Sequence, residues 1–294
     1  MVFRAAVTLL GLLKAAYREF KKNDPLRMAA ATAFFTTFAL PAILILLIQI
    51  FGLIMGRRTI GRQFFSGLTD ILGPNAVDEM RETLRNVRSL VQTWYIAAGL
   101  FVFLLFVATT LFKVIRDSLN QLWDIRIKDG YGLKLQLKQR GRSFIAIIFA
   151  GILFLSVLFA EGVISLLPER VVFLVRLLKQ LISIAAATAW FAALFKYLAD
   201  GYTTWRVTIG GALFTSLLFT IGKMILGVLL SYSAIKNIYA TSTSFVLLLL
   251  FVFYCSFMFY YGASFLKVWA AHKRQPVIPH HHALKYKLSP AEME

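Results

Sequence analysis

Charge is scarce in this 294-residue chain, and negative charge is scarcest. Only 16% of residues are charged, with 14 Asp and Glu against 32 Lys and Arg. Soluble domains carry about 25% charged and about 45–50% apolar residues. Here 59% are hydrophobic and the mean hydropathy is +0.72. That excludes a disordered chain and argues against a soluble enzyme. One cysteine, Cys255, excludes an internal disulfide and a cysteine-based zinc site. The histidines are four, at 272 and 280–282. No His–carboxylate metal motif, Gly-rich phosphate loop or nucleophile elbow is present. The acids are scattered, whereas a metal-dependent nuclease needs them to converge. No catalytic residue, metal or cofactor is expected, and the chain does not read as an enzyme.

What is present is long apolar runs. A helix needs about 20 mostly apolar residues to cross a hydrocarbon core. The segments 28–56, 89–112 and 237–266 contain no Asp, Glu, Lys or Arg. The runs 143–160, 180–195 and 207–222 are shorter, and two of them resume beyond a single charge, Glu161 or Lys223. The expected fold is all-α: a polytopic membrane protein with six transmembrane helices, near 29–54, 93–115, 143–167, 178–198, 207–231 and 243–269. Residues 29–271 make the transmembrane domain, after a leader of 1–28 and before a tail of 272–294.

The leader has Leu9, Leu12, Leu13, Ala16 and Phe20 at helical spacing, with Lys14, Arg18, Lys21 and Lys22 beside them. It reads as an amphipathic helix in the membrane interface. Asn23-Asp24-Pro25 ends it and caps the first span. Lys and Arg in the loops set orientation. The segments to residue 28, 116–142, 196–206 and from 267 on carry 6, 7, 2 and 5. The segments 55–92, 168–179 and 232–243 carry 6, 3 and 1. The bias, 20 against 10, places both termini in the cytoplasm. The outer segment 57–92 holds two apolar stripes, Ile60, Phe64, Leu68, Ile71 and Val77, Met80, Leu84, Val87, Val91, divided by Gly73-Pro74. It reads as an outer helical hairpin. A lid on the spans, a partner-docking surface and a lipid-contacting surface all stay open for it. The inner loop 116–142 is basic, which suits topology and anionic lipid. It resembles no nucleic-acid-binding module, and no nucleic-acid partner is expected.

Five stretches then suggest a family. The first span carries Ala29-Ala30-Ala31-Thr32-Ala33-Phe34-Phe35 and Pro41; the inner loop carries Asn120-Gln121-Leu122-Trp123. Span five opens with Trp205-Arg206 and Gly210-Gly211-Ala212. Ile238-Tyr239-Ala240 precedes span six, and Tyr261-Gly262-Ala263-Ser264-Phe265 stands near its end. Over about residues 24–272 the chain resembles the YihY/BrkB family of bacterial inner-membrane proteins, once mislabelled ribonuclease BN. The resemblance implies a place in the bacterial cytoplasmic membrane and a part in envelope integrity, with lipid transport in some members. Asn120, Trp123, Gly211, Tyr239 and Gly262 are its motif residues here. Two positions depart from it: Ser264 stands where the family usually has Glu, and Lys196-Tyr197-Leu198-Ala199-Asp200 replaces a Pro-containing loop.

Glu161 and Lys223 are the charges inside spans. Each costs at least about 2.5–3.5 kcal/mol at a span centre, so each is expected to face protein, water or a partner. Lys223 lies ~12 Å, and Glu161 ~9 Å, below the outer ends of their spans at about 1.5 Å per residue. A salt bridge, a snorkelling lysine and a substrate or proton site are the alternatives. Ser216 and Thr220 lie near the face of Lys223, and Gln49 at a similar depth, so a polar substrate cluster of Glu161, Lys223, Gln49, Ser216 and Thr220 competes with helix-packing seams. Ala185, Ala189 and Ala192 read as a further seam. Pro41 removes a backbone hydrogen bond and is a hinge candidate. Trp123 is expected to anchor at the interface, Asn120 to cap or join helices, Cys255 to be an inert core thiol, and His280-His281-His282 to be a solvated tail. The resulting expectation is a membrane protein that transports or accommodates a lipid-like or anionic amphiphilic substrate. The alternative is a non-transporting scaffold that holds an envelope protein through the outer hairpin. Membrane lipids are partners in both, and oligomerisation is left open.

Overall fold

Asn23-Asp24-Pro25 separates the first two helices of the computed structural model. α1 (Val2–Lys22) ends where Asn23 Nδ2 donates to the Glu19 carbonyl at 2.9 Å. Asp24 takes φ +50°, a left-handed turn conformation that Asp tolerates. Pro25 opens α2 (Pro25–Met55) at the first helical position, where no partner for its absent N–H is needed. There follow α3 (Trp94–Leu122), β1 (Ile125–Ile127) and α4 (Val172–Ala193), which runs into a π-helical turn at Leu194–Leu198. Then come β2 (Gly201–Tyr202), α5 (Trp205–Tyr232), α6 (Thr243–His272), β3 (Ile278–Pro279) and β4 (Ala283–Lys285). The structure describes residues 2–55, 94–128, 172–232 and 243–286, with isolated positions between them.

Helices Leu177–Leu198, Trp205–Ile225 and Leu248–His272 are long and apolar enough to cross a membrane. They fall on the fourth, fifth and sixth expected spans. α2 and α3, of 31 and 29 residues, fall on the first and second. In hydrocarbon the backbone must satisfy itself, which selects helix for such runs. Hydroxyls inside them are satisfied the same way. Thr37, Thr109, Thr188, Thr220 and Ser256 each donate to the carbonyl one turn back. The outer part of span three, most of 57–92 and residues 129–140 of the inner loop lie outside the described residues. Within 57–92, Phe65, Asp78, Arg81 and Glu82 are helical, and the Arg81 guanidinium lies 5.0 Å over the Phe65 ring.

α3 packs on α2, α2 on α6, α6 on α5 and α5 on α4, while α1 lies along α6. The close approach of α5 and α6 needs glycine at two motif positions. A Cβ on Gly262 would sit 2.1 Å from Thr215 Oγ1, and one on Gly211 2.7 Å from Leu266 Cδ1. An aromatic column fills the middle of the bundle near the termini. Phe195 stacks on Phe259 at 5.2 Å, Phe191 lies 5.8 Å from Phe259, and Trp123 lies 6.3 Å from Phe195.

Four expectations need correction. The fold is mainly helical, but two antiparallel two-stranded sheets, β1–β4 and β2–β3, amend the all-α reading. Trp123 is not at the interface; it is fully buried, because its indole N–H reaches the Ala263 carbonyl at 3.2 Å. The run 280–282 is not simply a solvated tail: the strands fold residues 278–285 back on the bundle and bury His282, while His281 stays exposed. Of the expected alanine seam only Ala192 is buried; Ala185 and Ala189 are exposed, and α5 meets α4 through Ser216, whose hydroxyl donates to the Ile184 carbonyl at 3.0 Å.

Candidate functional site

The residues at the end of α3 join it to several other elements. Asn120 and Asp200 form a reciprocal pair: Asn120 Nδ2 donates to Asp200 Oδ2 at 2.8 Å, and the Asp200 N–H donates to Asn120 Oδ1 at 2.9 Å. Gln121 reaches the α1–α2 turn, accepting from Arg27 at 3.2 Å and donating to the Asn23 carbonyl at 3.4 Å. Leu122 is fully buried in the core. Trp123 holds α6 through Ala263. Asp124, at φ +54°, turns the chain into β1 and meets Lys267 at 2.8 Å; Lys267 also holds Glu19 of α1 at 2.5 Å. Four consecutive side chains and the next turn thus tie α1, α2, α6 and the segment before α5 together.

Asp200 is the centre of this junction, with no exposed surface. Its Oδ2 also faces Arg116 Nε at 3.7 Å, and its Oδ1 lies 3.0 Å from His282 Nε2. Its carbonyl accepts the His280 N–H at 2.9 Å. Arg116, itself buried, shares its guanidinium with Asp117 at 3.0 Å. A buried carboxylate is tolerated where it is paired and hydrogen-bonded, and both conditions hold here. Next to it, Gly201 leaves room for Ile125 and Val277: a Cβ there would lie 2.3 and 2.9 Å from their side chains. The returning chain is fastened by β1–β4, with Arg126 opposite Leu284, and by β2–β3, with Gly201 opposite Pro279. Lys128 N–H to the His282 carbonyl (3.1 Å) and Thr204 Oγ1 to Gln275 Oε1 (2.6 Å) add to it. A second polar pair, Thr32 Oγ1 and Tyr260 Oη at 2.6 Å, joins α2 to α6.

These five matched stretches now have a common meaning, since most of them lie on contacts between elements. The family described as virulence factor BrkB matches residues 16–284. The chain belongs to the BrkB family. It matches no curated protein and no solved structure. It is therefore a BrkB-family membrane protein with apolar helices.

The structure places Asn120, Trp123, Gly211 and Gly262 in the packed half of the BrkB-family bundle. Ser264, at the position where a glutamate was expected, is fully buried and donates to the Tyr260 carbonyl at 3.1 Å. Ser216 is buried against α4, and Thr220 donates to the Ser216 carbonyl at 2.9 Å. Lys223 is half-buried, with its ammonium 5.4 Å from the centre of the Phe219 ring. Among the described residues no carboxylate pairs with it. Glu161 and Tyr239 lie outside the described residues, as do the side chains of Gln49 and Pro41 within α2. Among the described residues no group of three His, Cys, Asp or Glu could hold a metal ion.

Asp200 escaped the sequence reading. It stands in the one loop that departed from the family pattern, and its partners are 80 residues away on either side. The available signal was an acid in a chain with few of them, at the mouth of a span.

Proposed function

We propose that this protein moves or accommodates a lipid-like, anionic amphiphile in the bacterial cytoplasmic membrane, with both termini cytoplasmic. One observation carries the reading: Lys223 sits in an apolar span, with its ammonium over the Phe219 ring and no carboxylate paired with it among the described residues. Lys223 lies ~27 Å along α5 from Trp205 at ~1.5 Å per residue, close to the far end of the apolar stretch Trp205–Ile225 and of a roughly 30 Å hydrocarbon core. A cation–π contact is worth roughly 0.5–2 kcal/mol, which leaves the ammonium open to an anion at that depth. That anion is Glu161, the headgroup of a bilayer lipid reached by snorkelling, or the headgroup of a substrate; our reading takes the last.

The basic balance of the chain supports an anionic rather than a cationic cargo. On this reading the packed aromatic column would close a passage at the end of the bundle nearest the termini. Transfer of fluorescent phosphatidylglycerol and phosphatidylcholine between the leaflets of liposomes tests the reading. The protein is expected to accelerate the anionic lipid, and Lys223→Met to remove that acceleration. Capture of an envelope protein with no lipid flux would favour the scaffold instead.

A further inference from the structure

α1 is fixed in rotation by its contacts with α6. The Phe20 ring meets Phe257 edge-on at 4.8 Å and Tyr261 at 5.6 Å. Tyr261 Oη donates to the Leu13 carbonyl at 3.2 Å, and Glu19 is held by Lys267 at 2.5 Å. Ala16 and Phe20 are buried. The helix therefore cannot turn its remaining faces inward. At about 100° per residue, Leu10 and Tyr17 project beside the buried stripe, and Lys21, Lys14, Arg18 and Lys22 follow in an arc of roughly 100°. Leu10 is 67% and Tyr17 56% exposed, and all four cations are exposed.

The charge on this face is unbalanced. Glu19, the acid within α1, is taken by Lys267, and Asp24 lies past the helix end. Among the described residues no carboxylate pairs with Lys14, Arg18, Lys21 or Lys22. An apolar flank beside a row of uncompensated cations is the arrangement of a helix at an acyl–headgroup boundary, where the apolar side enters the acyl region and the cations meet phosphates. A neutral surface would satisfy the apolar flank alone. The four cations call for an anionic one.

We propose that this face of α1 is a binding surface for the headgroups of acidic phospholipids in the adjacent leaflet. The surface is independent of Lys223, which lies on a different helix. Its neighbours with charge are few: Glu19 and Lys267 on its inner side, and Asp24 and Arg27 at its end. Attraction between exposed cations and a charged surface is screened by salt, so the surface responds to ionic strength.

The full chain carrying Cys255→Ser and Leu10→Cys, labelled with a fluorophore at residue 10, gives a local readout in vesicles of phosphatidylcholine and phosphatidylglycerol. Brominated phosphatidylglycerol is expected to quench the label more than brominated phosphatidylcholine does, and 0.5 M salt to narrow the difference. Replacing Lys14, Arg18, Lys21 and Lys22 by Gln is expected to lower the preference by up to about five-fold per cation at low ionic strength. Lys273→Gln with Arg274→Gln, which removes exposed cations beyond α6, is expected to leave it unchanged. Equal quenching by the two lipids in the protein with its cations intact overturns the proposal, whether or not the four-fold variant folds. Lys223→Met separates the two readings: loss of lipid transfer with the quenching preference retained would leave this surface standing alone.

Discussion

Asp200 concentrates more contacts than any length of apolar helix could reveal. Both of its carboxylate oxygens and both of its backbone groups are engaged, by Asn120, Arg116, His282 and His280. Removing one partner of a buried charged pair costs about 3–5 kcal/mol, because the other is left uncompensated. Asp200→Ala is therefore expected to lower the unfolding temperature in detergent sharply. Asn120→Ala should cost less alone and add little to Asp200→Ala, since the two remove one shared interaction. Strictly additive losses would mean that the pair does not act as a unit. Lys223 invites a parallel test. If Glu161 is its anion, Glu161→Gln and Lys223→Met should each harm folding and the double substitution should recover it. A double variant that folds but moves no lipid identifies a working site. One that folds and works identifies a structural bridge.

At the scale of elements, the helices were legible and the strands were not. A charge-free run such as 243–266 admits one solution in a membrane, and α6 takes it. Ile125–Ile127 and Ala283–Lys285 are too short for an alternating pattern, and their pairing joins positions nearly 160 residues apart. The histidine run 280–282 looks solvated by composition, and only the paired strands explain why His282 is buried. Asn120 and Trp123 were legible as motif residues, but Trp123 as an interface anchor was wrong because nothing local shows the Ala263 carbonyl that receives its N–H. The returning segment should hold the α3 end in place. Truncation after Arg274 removes the acceptor of the Lys128 N–H and the whole of β4. Amides of 126–128 are then expected to exchange faster by at least ten-fold, while those in the middle of α5 are unaffected. Unchanged exchange at 126–128 would show that β1 is held by the bundle alone.

At the scale of the whole molecule, the packing and the charge bias bear on one question, which face of the membrane each end occupies. The junction around Asp200 gathers the end of α1, the start of α2, the end of α3, the start of α5 and the end of α6. For these ends to meet, α2 and α3 must run in opposite directions, and so must α5 and α6. Both pairs agree with a path that returns to the same face. Lys and Arg are in excess on the segments of that face, 20 against 10, and the proposed orientation, with that face in the cytoplasm, rests on this bias. In a Cys255→Ser background, cysteines at Ser66 and Ser289 test this with an impermeant thiol reagent on intact cells, a serine being the least disturbing residue to replace. Ser66 lies in the segment expected outside and Ser289 in the tail expected inside. Labelling at 66 alone is the expected result, with 289 reacting once the membrane is permeabilised. Labelling at 289 in intact cells would invert the protein, and it would put the basic face of α1 against the outer leaflet.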